Sequence, residues 1–152
     1  MTDVVYKPRK SNIDVSYPCF GTRKLSYANY SIYLYNRRNQ ACEQLKDVPI
    51  FKCYRPNPLG NPFHLRIDTK GAREKCIKQF GEYFSDKMVN DLHYRALVHK
   101  ILDVLLDNKE VVLECYCVPL ACHTEIIAMY LLNKLTEEID YVDRNRGNST
   151  SF

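Results

Sequence analysis

The sequence predicts an α/β chain, a small Rossmann-like three-layer domain with a mainly parallel sheet. Three observations predict it. Segments with strand and helix character follow one another as strand, turn, helix, helix, strand, helix. The run from Ile126 to Leu132 is apolar nearly all round, as a helix packed deep against a sheet requires. Val111 to Cys117 is a short apolar run interrupted by Glu114, which suits a buried strand.

The elements can be justified in order. Val4-Val5-Tyr6 and Ile13-Asp14-Val15 each read as a short strand, and Ser31 to Tyr35 is richer in strand formers. Asn36 to Asn39 reads as a basic turn. Ile50 to Tyr54 is a further strand, stopped by a turn in which Pro56, Pro58 and Pro62 exclude a helix. Cys76, Ile77, Phe80, Tyr83 and Phe84 recur at helical spacing and predict a helix over 72–84. A second helix over 87–107 carries Val89, Leu92, Ala96, Ile101 and Leu105 along one side, with Ser85 or Asp86 as its cap. Pro119 ends the strand that follows, and a final helix runs over 123–135. The organisation expected is a single α/β domain over 1–142. Within it, 16–49 is a Tyr-rich insertion with its own hairpin, and 143–152 is a polar flexible tail.

Composition narrows the function classes. At 152 residues, the chain can bury a core without disulfides or a structural metal. The 22 Lys and Arg against 18 Asp and Glu leave a net charge of +4, short of a strong polyanion footprint. No apolar run approaches the ~20 residues that span a bilayer, so no membrane partner is expected. The opening MTDVVYKPRK lacks the apolar stretch of a signal peptide. Seven cysteines, an odd number, then read as reduced thiols, and the expected localisation is cytoplasmic.

Two constellations carry candidate chemistry. The first is Cys115-Tyr-Cys117-Val-Pro-Leu-Ala-Cys122-His123. Cys115, Cys117, Cys122 and His123 are potential zinc ligands. On an extended strand, however, Cys115 and Cys117 stand ~6–7 Å apart, too far to share one ion without bending. Alternatively, Cys117 ends a strand and Cys122-His123 opens a helix, where open α/β sheets bind ligands and where a thiol pKa is depressed. The bland alternative makes these cysteines small core residues. The second constellation is Arg55-Pro-Asn-Pro-Leu-Gly60-Asn61-Pro-Phe63. Arg55 offers a fork for phosphate or carboxylate, Gly60-Asn61 permits a left-handed turn with exposed amides, and Asn61 can read an amide or hydroxyl. No phosphate-binding glycine fingerprint is present.

Together, PLGNPF at 58–63 and C-x-C-x-P-x-x-C-H at 115–123 resemble an uncharacterised family, the domain of unknown function 4326, of bacteria and phages. The resemblance covers about 50–135 and extends to the opening segment Val4 to Lys10. The end of the second motif is also similar to the domain of unknown function 488, in which a carboxylate replaces the second thiol and Cys-His is followed by Arg. Thr124 stands there in this chain. The resemblance implies a fold and candidate site residues, and no reaction.

The function expected is binding of a small anionic ligand, a nucleotide or nucleoside derivative, with processing at an N-glycosidic bond as the catalytic form of that reading. Arg55, Gly60, Asn61, Phe63 and Cys117 are the candidate ligand-binding residues. Cys122 or Glu114 is the candidate nucleophile and His123 the proton carrier. The rival is a zinc-stabilised module that contacts nucleic acid or protein, with zinc as its cofactor.

Overall fold

The computed structural model describes residues 13–38, 43–63, 65, 67–118, 120 and 122–149. The expected strand at Val4-Val5-Tyr6 lies outside the described residues. Five strands form one sheet: β1 (Asp14–Cys19), β2 (Thr22–Tyr27), β3 (Tyr30–Asn36), β4 (Ile50–Lys52) and β5 (Glu110–Cys115). Among the described residues there are three helices: α1 (Lys70–Asn90), α2 (Leu92–Asn108) and α3 (Thr124–Ser149). A single 3-10 turn, Glu43–Leu45, lies between β3 and β4.

The strand order is β1-β2-β3-β5-β4. β1–β2 and β2–β3 pair antiparallel, whereas β3–β5 and β4–β5 pair parallel. This mixed sheet overturns the expected mainly parallel Rossmann-like fold. The reason is local. Phe20-Gly21 and Ala28-Asn29 are the whole connections between β1, β2 and β3. Two residues can join only antiparallel neighbours, because a parallel crossover needs a dozen or more. Gly21 takes φ 76° and Ala28 φ 54° to make these reversals. Gly21 does so without strain, since it has no Cβ.

The three-layer expectation fails as well. Ile32 and Leu34 of β3, with Val111, Leu113 and Cys115 of β5, share one core with Phe80, Phe84, Val98, Ile101, Leu105, Ile127, Leu131 and Leu135 from the three helices. Side chains alternate across a strand, so Tyr33 and Val112 face the other way. There they form a small apolar cluster with Leu45 and Val48, beside the 3-10 turn, with Tyr35 packed alongside. The helices therefore cover one face, and a short segment covers part of the other. Arg23 of β2 pairs with Glu125 in the first turn of α3, tying the hairpin to the helical layer.

Thr69 caps α1 by accepting from the Ala72 N–H at 3.1 Å. Asp91, not Ser85 or Asp86, caps α2, accepting from the Tyr94 N–H at 3.1 Å. Ser85 is instead buried on α1. The two expected helices are present but separated by the single residue Asp91, so the second starts five residues later than periodicity suggests and Val89 belongs to the first. The backbone of α3 stays helical through Ser149. Among the described residues, no helix is long and apolar enough to cross a membrane.

Candidate functional site

The three parallel strands deliver their following loops to the same sheet edge. Asn36-Arg37-Arg38 follows β3, Cys53 to Phe63 follows β4, and Tyr116 to His123 follows β5. Beside this edge lies a cavity of about 230 Å³. Arg55, Asn61 and Phe63 line one part of its wall and Cys117, Cys122 and His123 another. The two motifs, distant in sequence, thus border one hollow. Arg73 and Cys76 from α1 close it, with Tyr54 and Tyr116 also in its wall.

A closed set of hydrogen bonds holds the proline turn in place. The Phe63 N–H donates to Asn61 Oδ1 at 3.0 Å, Asn61 Nδ2 donates to Cys76 Sγ at 3.4 Å, and the Cys76 thiol donates to the Phe63 carbonyl at 3.1 Å. Asn61 therefore lines the cavity while its amide serves the turn. Gly60 is not in the cavity wall. Its backbone lies outside the left-handed region, and its N–H donates to the Asn57 carbonyl at 2.9 Å, so the expectation of a left-handed turn with exposed amides is corrected. Glycine is needed there for close approach. A Cβ would stand 2.6 Å from the Arg55 nitrogen and the Tyr54 carbonyl carbon. Arg55 is exposed at the rim, and its peptide bond to Pro56 is cis.

On the other wall, His123 is buried and its Nε2 donates to the Leu59 carbonyl at 3.2 Å. That bond leaves Nδ1 turned toward the sulfurs, 3.7 Å from Cys122 Sγ. Phe80 packs edge-on against the imidazole with centroids 4.8 Å apart. The Thr124 hydroxyl donates to Cys122 Sγ at 3.1 Å.

The three neighbouring thiols titrate differently for stated reasons. Cys117 is drawn down to about 4, first by the hydrogen bond from Cys122, against burial, then by His123 and by Arg73. The Arg73 guanidinium, also paired with Asp68 at 2.8 Å, hydrogen-bonds the same sulfur. Cys115 is lowered to about 7, led by its hydrogen bond from Cys122. Burial first, and then hydrogen bonding of its proton to the other two sulfurs, push the Cys122 thiol well above its usual value. Cys122 is 1% exposed and Cys117 half-buried at the cavity. The helix-start argument lowers the thiol of Cys122, whereas the lowering falls on Cys117 and Cys122 is raised.

Other candidates are not brought together. Cys115 is fully buried and stands outside the cavity wall. Glu114 lies in β5 between Tyr35 and Lys52, on the face away from the helices and outside the cavity wall. It has no place as a nucleophile there. β5 ends at Cys115, so strand spacing does not govern Cys117. Even so, among the described residues no group of three or more His, Cys, Asp or Glu side chains is arranged to hold a metal ion. Cys53, Cys76, Cys115, Cys117 and Cys122 are free thiols. Cys19 is disulfide-bonded, so the expectation of seven reduced cysteines fails at that residue.

Sequence reasoning missed Arg73, Cys76, Tyr54 and Tyr116. A signal for Arg73 was present. The first turn of α1 contains Lys70 and Arg73 and no acidic residue. Cations there oppose the helix dipole, and Arg73, unlike the exposed Lys70, is held by Asp68 and Cys117.

Residues 34–133 match the model of a family described as Domain of unknown function (DUF4326). No curated protein and no solved structure matches the chain.

Proposed function

Since the chain belongs to the DUF4326 family, whose description names no activity, we propose its function from the cavity: it binds a small anionic ligand, a nucleotide or nucleoside phosphate. One observation carries this reading. Arg55 and Arg73 and the aromatic residues Tyr54, Phe63 and Tyr116 all belong to the wall of the same 230 Å³ hollow. Guanidinium groups match phosphate oxygens in planar pairs, and aromatic faces accept a base by stacking. Pockets for drug-sized ligands run to about 300–1,000 Å³, so this one encloses part of a nucleotide and leaves the remainder at its rim.

The catalytic form of the proposal is cleavage at the N-glycosidic bond. Cys117, rather than Cys122 or Glu114, then supplies the nucleophile: its sulfur bonds to C1′ as the C1′–N bond breaks, the base leaves with the bonding pair and takes a proton from water, and a second water hydrolyses the thioglycoside, freeing the sugar and the thiol. His123 Nδ1, turned toward the sulfurs while Nε2 donates to the Leu59 carbonyl, is the nitrogen able to accept a proton. Release of free base from nucleoside monophosphates, lost in Cys117→Ser, supports it.

Calorimetric titration with the nucleoside monophosphates tests the binding reading. The expected result is saturable binding that weakens about 10-fold or more in Arg55→Ala, the size of a lost charge-assisted hydrogen bond. Arg55 is exposed, so this variant keeps the fold. No binding at millimolar nucleotide, or unchanged affinity in Arg55→Ala, refutes it.

A further inference from the structure

Four exposed or half-exposed side chains form a continuous cluster along the rim of the cavity. Arg37 lies over the Tyr54 ring with its guanidinium carbon 5.1 Å from the centroid, and it donates a hydrogen bond to the Tyr54 hydroxyl. Arg38 lies over the Tyr116 ring, also at 5.1 Å. The two rings meet edge to face with centroids 5.0 Å apart. Tyr54 and Tyr116 both belong to the cavity wall, so the cluster begins where the cavity ends.

The backbone holds this cluster firmly. The Arg37 N–H donates to the Cys115 carbonyl at 2.8 Å, Asn36 Nδ2 to the Val118 carbonyl at 2.8 Å, and the Arg38 N–H to Asn36 Oδ1 at 2.9 Å. Arg37 and Arg38 are exposed, and an exposed cation–π contact stabilises a fold little. Glu114 is the acidic group near Arg37, and Lys52 stands beside Glu114 in the sheet register. The face thus keeps a positive excess next to two tyrosine rings. Layered arginine and tyrosine are the chemistry that single strands require: guanidinium planes accept bases by stacking, and their charge meets the phosphates.

We propose that Arg37, Arg38, Tyr54 and Tyr116 form a platform for single-stranded nucleic acid, so that the nucleotide in the cavity is one unit of an oligonucleotide. The inference rests on the nucleotide reading of the cavity and names its substrate class. The cavity is too small for more than part of a nucleotide, and its aromatic rim leads directly onto Arg37 and Arg38. The next phosphate and base are placed there.

Fluorescence anisotropy with labelled single-stranded 12-mers of DNA and RNA tests this, with unlabelled mononucleotides as competitors. The 12-mer is expected to bind at least about 10-fold more tightly than the mononucleotide, since it adds stacking and phosphate contacts. The Arg37→Ala/Arg38→Ala double variant is expected to lose about 10-fold or more of the 12-mer affinity while mononucleotide affinity stays unchanged. Its salt slope should shrink by about 1.4, because each single-strand phosphate contact contributes about 0.7. An unchanged melting temperature shows that the fold survives. Mononucleotide binding with no gain for the 12-mer overturns the platform and leaves the cavity reading standing. Equal losses for both ligands in the double variant also overturn it. Binding of neither ligand overturns both readings.

Discussion

The charge on Cys117 makes an alkylation rate that should ignore pH. A thiol held at about 4 is fully ionised by pH 6, whereas an ordinary thiol near 8.5 is only about 0.3% ionised there. Ionisation alone would make Cys117 about 300-fold faster. Nucleophilicity falls with pKa at a Brønsted slope near 0.45, which over about 4.5 units returns about 100-fold of that. The net advantage at pH 6 is therefore only about threefold, and at pH 8.5 Cys117 is the slower thiol. Absolute rate is thus a poor signature and the profile a good one. Between pH 5.5 and 8.5, free cysteine speeds up about 500-fold while Cys117 stays flat. Iodoacetamide labelling, with the Cys117 peptide quantified by mass spectrometry, reads this. Cys53, Cys115 and Cys122 are buried and do not compete. Cys122→Ala removes the leading hydrogen bond and should move the profile to higher pH, and Arg73→Ala should move it in the same direction. The same shift stabilises the fold with a definite sign. The folded pKa is depressed, so the contribution is complete above the unfolded thiol's about 8.5 and disappears as pH falls through about 4. Cys117 labelling that climbs with free cysteine up to pH 8.5 would refute the whole electrostatic account.

Two further predictions concern stability. Gly60→Ala forces a Cβ against backbone atoms 2.6 Å away and should cost about 2–3 kcal/mol, measured by urea denaturation. A loss under 0.5 kcal/mol would show that the turn is soft. Tyr94 is buried, and among the described residues its hydroxyl has no hydrogen-bond partner. Tyr94→Phe should therefore raise stability by about 1 kcal/mol in the same assay, and a loss of that size would mean the hydroxyl is satisfied.

Helices and the central strands were legible because their signal is periodic. Ile126 to Leu132 and Val111 to Leu113 are apolar at the spacing their elements impose, and both are in the core. The antiparallel half was harder. β1 carries Val15 and Tyr17 outward and buries none of its residues, so its pattern says little about sheet membership. The decisive clue was connection length, two residues at Phe20-Gly21 and two at Ala28-Asn29. In the site, motif residues with unusual chemistry were visible: Arg55, Asn61, Cys117, Cys122 and His123 all reach the cavity wall. Arg73 was legible only as a cation at a helix start, and nothing in the spacing shows that it turns to Cys117. Which sulfur carries the charge was also hidden. It depends on who donates to whom among Cys115, Cys117 and Cys122, and spacing does not encode that.

The loops at the sheet edge are laced to one another. Asn36 reaches the Val118 carbonyl, and His123 reaches the Leu59 carbonyl. Transplanting any single loop into another scaffold would strand half of a matched pair inside the protein. Specificity in such an architecture changes by concerted replacement, three segments inherited together, and a graft that moves only the cysteine-bearing stretch would carry its letters without its grammar.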